Sequence, residues 1–247
     1  MEEPISRARS FGRRPVDYHT HRPFYPAEAI RWALAGATRE VTRALDLAAG
    51  TGKVTAGLRA LGLDVTAVEP DEAMRGVLAA EYPDVTALAG TAEAIPLPDA
   101  SVDAVLVGQA FHWFDRDVAL AEIARVLRPG GVLAVLWNGE DPDTEWVTGL
   151  MTASQTSATG GWHGEIVPPE HESFDQAEGT VVAHSMPRTI DSMIDYLGTH
   201  SRLLMVDDDE RARVVARVRD YLLHRQETSA GEFDLPLVTD VVRLRRR

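Results

Sequence analysis

The stretch from Leu45 to Gly52, followed by Glu69, constrains the fold of this chain more than any other sequence feature. An apolar run that contains Asp46 leads into the small-residue loop Ala48-Ala49-Gly50-Thr51-Gly52, after which a helical pattern begins. A second carboxylate, Glu69, ends the next apolar run. This order is typical of the βαβ unit that binds nucleosides, in which the second carboxylate accepts hydrogen bonds from both ribose hydroxyls. The sequence therefore predicts an adenosine-containing cofactor.

Two other nucleotide-binding patterns fail at this loop. A dinucleotide fingerprint counted from Gly50 places Thr55 at its third position, where a β-branched side chain hinders close packing of helix and strand. The phosphate-binding P-loop pattern is not matched either, because Leu47 and Val54 occupy the first and last positions, which require glycine and serine or threonine. A nucleoside without phosphates remains, and S-adenosylmethionine (SAM) has that shape. Its cationic centres suit an acidic site.

Several further motifs follow in order along the chain. They are Val68-Glu69-Pro70, Gly90 to Pro96, Ser101-Val102-Asp103, Gln109 to Phe114 and Leu127 to Gly131. Together with the loop after Leu45 they resemble the class I SAM-dependent methyltransferases. The greatest similarity is to the methyltransferase type 11 group, in the branch with a His-Trp-Phe sequence after strand four. Ala48 departs from the family's first glycine; we expect a negative φ there, so that the extra methyl group is tolerated.

The resemblance implies a set of cofactor contacts. Glu69 would bind the ribose, Ala92 and Glu93 the adenine edge, and Met74 either the adenine or the apolar core. Asp46 would contact the amino group or only hold the loop, and the second role is slightly favoured. The predicted cofactor-binding residues are Tyr18, Arg22, Asp46, Ala48, Gly50, Gly52, Glu69, Met74, Ala92, Glu93 and Gln109.

The segment from Tyr18 to Pro26 matches the pattern Y-x-x-x-R-P-x-Y-P that often begins this branch. It is interpreted as a flexible lid, in which Tyr18 covers the sulfonium and Arg22 pairs with the methionine carboxylate. In the alternative, Pro23 and Pro26 fix a turn and the aromatic residues fill the core.

Methyl transfer to a neutral acceptor requires removal of a proton, and His112 is the predicted catalytic residue because a histidine titrates near neutrality. In the alternative, His112 only hydrogen-bonds the loop while Trp113 and Phe114 form a wall of the pocket. The predicted acceptor-binding residues are Tyr25, Trp113, Phe114, Thr199 and His200.

Composition limits the classes of protein and partner. The absence of cysteine excludes disulfides, thiolate metal ligands and cysteine catalysis, and we predict no metal site. The formal net charge of -13 disfavours nucleic acid and anionic membranes as partners. No apolar stretch approaches a membrane span, and Met1 to Arg14 lack the apolar core of a secretory signal. We therefore expect a cytoplasmic monomer or homodimer that acts on a small molecule.

Strand and helix patterns alternate along the chain, which predicts an α/β fold with a doubly wound parallel sheet and helices on both faces. The resemblance implies a Rossmann-like seven-stranded sheet of order 3-2-1-4-5-7-6, with the last strand antiparallel and a small C-terminal cap insertion. We predict strand five at 132–137, loops over 140–178, one helix at 190–204 and a solvated arginine tail at 243–247.

Four segments with different roles are predicted. They are a lid at 1–25, a SAM-binding core at 26–139, a cap and acceptor-binding insertion with strand six at 140–204, and a C-terminal helix and strand at 205–247. The predicted activity is methyl transfer from SAM to O, N or C of a small organic acceptor, such as a natural-product intermediate. The alternative is a SAM-binding protein of the same fold with a regulatory or non-methylating role. An NAD-linked oxidoreductase is disfavoured by Thr55.

Overall fold

A computed structural model describes residues 15–158 and 167–247, and the predictions for residues 1–14 and 159–166 lie outside these ranges. The helices are α1 (Pro15–His21), α2 (Ala27–Leu34), α3 (Lys53–Ala60), α4 (Glu72–Glu81), α5 (Arg116–Val126), α6 (Glu145–Ala153), α7 (Ile190–Gly198), α8 (Ser201–Leu204) and α9 (Asp208–Leu223). The strands are β1 (Arg43–Leu47), β2 (Asp64–Val68), β3 (Thr86–Leu88), β4 (Val102–Gly108), β5 (Leu127–Glu140), β6 (Glu178–Arg188) and β7 (Phe233–Arg245). A 3₁₀ helix spans Phe111–Trp113.

The seven strands form one sheet of order β3-β2-β1-β4-β5-β7-β6. The pairs among β1 to β5 are parallel, whereas β7 is antiparallel to β5. The helices between the first five strands supply the crossovers that parallel pairing requires. The predicted fold class, strand order and antiparallel last strand are confirmed.

The described residues group into two compact units, which are treated separately. The second unit comprises residues 24–138, 167–182 and 239–247. Its strand β4 is buried along almost its whole length, and successive side chains enter different apolar clusters: Val105 and Val107 join one, Ala104 and Leu106 the other. Because side chains alternate across a strand, this pattern shows that both faces of the sheet are covered.

The first unit comprises residues 15–23, 139–158 and 183–238. Its apolar cluster is formed by buried positions at helical spacing on α6, α7 and α9 together with alternate positions of β7. Val214, Val218 and Leu222 on α9 belong to it, as their spacing predicts.

Helix α6 was not predicted, and the expectation of loops throughout 140–178 is wrong in this respect. Trp146, Val147 and Leu150 are buried on one face of the helix. The apolar spacing is present in the sequence, but it is short and lies among glycine, proline and acidic residues.

The single helix predicted at 190–204 is two helices, α7 and α8. The Thr199 hydroxyl donates a hydrogen bond to the Tyr196 carbonyl at 2.6 Å. His200 is extended, with φ -79 and ψ 137, and precedes α8 as its N-cap residue. A threonine hydroxyl that bonds the local backbone competes with helix continuation, so α7 ends here.

Strand five begins at Leu127, earlier than predicted. Leu127 pairs with Val102, and regular pairing resumes with Val132 opposite Ala104 after a register shift. The Pro129-Gly130-Gly131 turn therefore lies within an irregularity of the strand instead of before it.

The predicted solvated arginine tail is wrong in part, because Arg243 is largely buried whereas Arg245 and Arg247 are exposed but paired. The Arg243 guanidinium stacks on Trp32 at 3.9 Å and pairs with Glu178 at 2.6 Å. Arg245 and Arg247 both pair with Asp175, and these interactions lower the pKa of its carboxyl. These arginines belong to the folded sheet and its flanks.

Tyr18 lies in helix α1, within the segment that was predicted as a flexible lid. Its mobility stays a prediction.

Among the described residues, no helix is long and apolar enough to cross a membrane.

Candidate active site

The candidate site lies in the second unit, at the carboxyl ends of its parallel strands. Leu47 pairs with Val68, and Gly108 pairs with Leu136. The residues that follow β1, β2 and β4 therefore lie at one edge of the sheet. This is the edge where open parallel sheets bind ligands.

Asp46 connects strand β1 to helix α3. Its side chain is only 1% exposed, and Oδ2 accepts hydrogen bonds from the Thr55 amide at 2.8 Å and hydroxyl at 2.6 Å. Burial raises the pKa of Asp46 to about 7, although the two bonds from Thr55 oppose this shift. These bonds agree with the predicted role of Asp46 in holding the loop. A contact between Asp46 and the amino group of the cofactor stays a prediction.

The expectation of a negative φ at Ala48 is wrong. Ala48 has φ 56, and Gly50 and Gly52 have φ 57 and 90. All three residues therefore have left-handed backbone conformations. This conformation favours glycine, so the backbone of Ala48 is strained.

Substitution of Ala48 by glycine is expected to raise the free energy of unfolding by about 1 kcal/mol, because glycine adopts a positive φ without steric strain. Urea denaturation measures this change. Ala49→Gly is the matched control: Ala49 is buried and has no positive φ, so the same substitution should lower stability. Equal effects at the two positions would contradict the assignment of strain to Ala48.

Gly50 and Gly52 have different surroundings. A Cβ added at Gly52 would lie 2.7 Å from the Tyr82 ring, so the close packing of this residue requires glycine. A Cβ at Gly50 would meet no atom within 4 Å. The backbone of Gly50 therefore borders open space that a ligand could occupy.

Glu69 connects this loop to the start of helix α4. Its Oε2 accepts a hydrogen bond from the Gly50 amide at 2.8 Å, and its Oε1 accepts one from the Asp71 amide at 2.8 Å. Burial raises the pKa of Glu69, while both backbone bonds lower it. Each carboxylate oxygen can accept a second bond, so the group is held in place with acceptor capacity left for a ligand.

Met74 and Ala92 are both buried, and Asp71 caps α4 by accepting a hydrogen bond from the Met74 amide at 2.9 Å, as its position predicts. Glu93 accepts a hydrogen bond from the amide of Asp115, the N-cap residue of α5, at 3.0 Å. Contacts of Met74, Ala92 and Glu93 with adenine stay predictions.

Gln109 follows β4 with φ 53, a strained conformation for a residue with a side chain. Its Nε2 donates a hydrogen bond to the Asn138 carbonyl at 3.0 Å. Asn138 was not singled out by sequence reasoning, although the signal was available: it is polar and lies near the carboxyl end of the apolar run of β5.

His112 lies in the 3₁₀ helix after β4, in contact with two tryptophans. The ring centroids of Trp113 and Trp137 are 4.2 and 5.2 Å from that of His112. Burial, and to a smaller extent the Arg116 charge, lower the pKa of His112 to about 4. The expectation of titration near neutrality is wrong, because the tryptophan-rich surroundings disfavour the imidazolium. Phe114 packs on the apolar core, and Trp137 was missed by sequence reasoning.

The remaining predicted residues are distributed between the units. Tyr25 is buried in the core of the second unit. In the first unit, the Arg22 guanidinium lies 5.3 Å from the Tyr18 ring and donates to the Thr199 carbonyl at 3.1 Å. His200 lies 4.0 Å from the Glu140 carboxylate. Their contacts with cofactor or acceptor stay predictions.

Comparison with known proteins gives consistent findings. Residues 45–135 match a family profile described as a methyltransferase domain. An uncharacterized methyltransferase of Mycobacterium tuberculosis is 40% identical over 245 residues, which cover 95% of this chain and 94% of that protein. An uncharacterized methyltransferase-like protein of Schizosaccharomyces pombe is 32% identical over 225 residues, covering 88% of this chain and 87% of that protein.

A solved structure from Anaeromyxobacter dehalogenans, assigned as a type II methyltransferase, is 29% identical to this chain. It superposes with a TM-score of 0.65, covering 91% of this chain and 97% of that one. The similarity therefore extends well beyond the nucleoside-binding segment.

Proposed function

This chain belongs to the family of class I SAM-dependent methyltransferases, and we propose that it transfers a methyl group to O, N or C of a small organic acceptor. The observation that supports this proposal most is the Glu69 carboxylate, which two backbone amides hold beside the glycine loop. A cytoplasmic location and a monomeric or homodimeric state are part of the same proposal.

The loop and the carboxylates fit SAM. Gly50 borders open space, and Glu69 has free acceptor capacity for two ribose hydroxyls. The proposed cofactor-binding residues of the second unit are Asp46, Ala48, Gly50, Gly52, Glu69, Met74, Ala92, Glu93 and Gln109. Tyr18 and Arg22 stay proposals from the sequence pattern.

When bound, SAM supplies a methyl group that its sulfonium activates for transfer. The chain then has to position the acceptor, exclude water and accept a proton from a neutral acceptor. Trp113 and Trp137 contact His112, and burial lowers its pKa to about 4, so the imidazole is neutral at physiological pH and can accept a proton. We propose His112 as the general base.

The cofactor assignment predicts the effect of removing the ribose-binding carboxylate. Glu69→Ala should weaken the binding of S-adenosylhomocysteine by about 2 to 4 kcal/mol, since charged hydrogen bonds in a desolvated site are lost. Calorimetric titration measures the difference. Glu72→Ala, which removes an exposed carboxylate from the first turn of α4, should leave affinity unchanged. Unchanged affinity in folded Glu69→Ala would remove Glu69 from the site.

The activity itself is tested by incubating the protein with SAM and fractionated small-molecule extract. Release of S-adenosylhomocysteine that depends on one fraction supports the proposal and identifies the acceptor pool. Tight SAM binding without turnover on any fraction would favour the regulatory alternative.

A further inference from the structure

Two arginines lie at the Tyr196 ring in the first unit, and a third lies near His200. The guanidinium carbons of Arg188 and Arg22 lie 4.8 and 5.8 Å from the centroid of the Tyr196 ring. Burial lowers the pKa of His200, and the charges of Arg22, Arg202 and Arg188 lower it further, so Arg202 belongs to the same surroundings. We call Arg22, Arg188 and Arg202 the arginine cluster.

The cluster has few partners for its charge. Each member uses one terminal nitrogen: Arg22 donates to the Thr199 carbonyl, Arg188 to the His21 carbonyl and Arg202 to the Ser154 hydroxyl. The Nε atoms of all three are buried and make no hydrogen bond within residues 15–158 and 167–247. No carboxylate in those ranges forms an ion pair with any of them.

One carboxylate, Glu140, belongs to the same surroundings. It accepts a hydrogen bond from the Tyr196 hydroxyl at 3.0 Å and lies 4.0 Å from His200. Burial keeps His200 neutral. Three guanidinium charges against one carboxylate leave two positive charges in a largely desolvated region, where Arg188 is only 4% exposed.

An unpaired buried charge is strongly destabilising, because the charge loses water without gaining a partner. The arrangement is therefore costly unless an anion completes it. Planar guanidiniums bind carboxylates through two parallel hydrogen bonds, and free Nε atoms are one half of that donor pair.

We propose that the arginine cluster is a binding site of the first unit for the carboxylate group of a small organic acid. This inference concerns the first unit by itself and goes beyond the proposed function. The geometry that carries it is the position of the Arg22 and Arg188 guanidiniums at the Tyr196 ring, together with the buried, unpaired Nε atoms of all three arginines.

The carboxylate of SAM is the other candidate ligand, and it is the partner that the sequence pattern gives to Arg22. Its charge fits the whole cluster less well. The amino-acid end of SAM also carries an ammonium, which would add positive charge beside guanidiniums that already exceed Glu140. A small organic acid with one or two carboxylates would neutralise the excess.

Succinate is a suitable probe, with uncharged dimethyl succinate as its matched analogue. Succinate should bind the intact protein and raise its melting temperature, whereas the diester should do neither. Arg202→Gln should weaken succinate binding by about 10- to 100-fold, the usual range for a charge-assisted bond pair. The control is Arg219→Gln, which removes an equal charge from an exposed ion pair with Asp191 and should leave succinate binding unchanged.

A purely structural role for the cluster predicts a different result. Arg202→Met should leave the ligand-free protein at least as stable as the original, because it removes an unpaired charge while Ser154 keeps its bond to the Met151 carbonyl. A large loss of stability in Arg202→Met, or equal binding of succinate and its diester, would overturn the inference.

Two further measurements separate this inference from the proposed function. Succinate should bind equally well when S-adenosylhomocysteine is saturating; competition between them, with unchanged binding of 5′-methylthioadenosine, would assign the cluster to the cofactor instead. Methyl transfer to uncharged acceptors without succinate binding would contradict the inference alone. Succinate binding without any methyl transfer would contradict the proposed function alone.

Discussion

Replacement of His112 by glutamine is expected to lower the rate of methyl transfer by about 10²- to 10⁴-fold while S-adenosylhomocysteine affinity stays unchanged. This is the usual contribution of a general base that acts only in the transition state. Glutamine keeps the size and hydrogen bonding of the imidazole but cannot accept a proton. Single-turnover rates with one identified acceptor measure the effect.

The pH profile gives the more specific test. Because burial against tryptophan lowers the pKa of His112 to about 4, the rate should fall only as the pH approaches that value. His112→Gln should lose this acidic limb. His224→Gln, at a side chain that is 75% exposed, should retain both rate and limb. An acidic limb that persists in His112→Gln would leave His112 as a pocket wall and direct attention to His19, His21 and His200.

Replacement of Asp46 by asparagine is expected to stabilise the protein at neutral and alkaline pH. The pKa of Asp46 is raised from 3.8 to about 7 in the folded protein. Between these values the folded state binds the proton more tightly than the unfolded state, so stability decreases as pH rises through this window. A difference of this size corresponds to on the order of 4 kcal/mol.

Asparagine cannot ionise, and its carbonyl oxygen can accept both hydrogen bonds from Thr55. The free energy of unfolding of Asp46→Asn should therefore lose this pH dependence, whereas the original protein should lose stability between about pH 4 and 7. Urea denaturation across this range measures both curves. If the free energies of unfolding of the two proteins changed equally with pH, Asp46 would be ionised in the folded protein throughout this range.

Asp103 provides a control of opposite sign. Burial favours its protonated form, but bonds from the amides of Arg43 and Thr42 and from Arg128 outweigh burial and lower the pKa to about 2. This carboxylate stabilises the fold above its unfolded pKa and loses that contribution as pH falls. Asp103→Asn should therefore lower stability at neutral pH.

The helix starts show what local sequence predicts well. Asp71 caps its helix as predicted, and Asp115 and Asp207, where helices were expected to begin, are also N-cap residues. Glu69 follows β2 as expected. A cap needs only an acceptor a few residues from the amides that it binds, so the information is contained within one short segment. The end of α7 at Thr199 was missed because a helical pattern on both sides suggested continuation.

The candidate site shows where prediction from sequence stopped. The sequence predicts which residues follow the strands and therefore lie at the site, because parallel strands bring their carboxyl ends to one edge of the sheet. The edge-to-face contact of Trp137 with His112 could not be predicted from the sequence, since it depends on which strand lies beside β4. The pKa of His112 follows from that packing, and the sequence expectation was wrong for this reason.

The sequence by itself determined the α/β class, the glycine loop after β1 and the carboxylates that flank it, because strand and helix periodicity and loop composition act over short distances. Only the tertiary structure decided the left-handed φ of Ala48, the burial that raises the pKa of Asp46, and the position of the Arg22 and Arg188 guanidiniums at the Tyr196 ring. These features depend on desolvation and on neighbours far apart along the chain, which the order of residues alone does not specify.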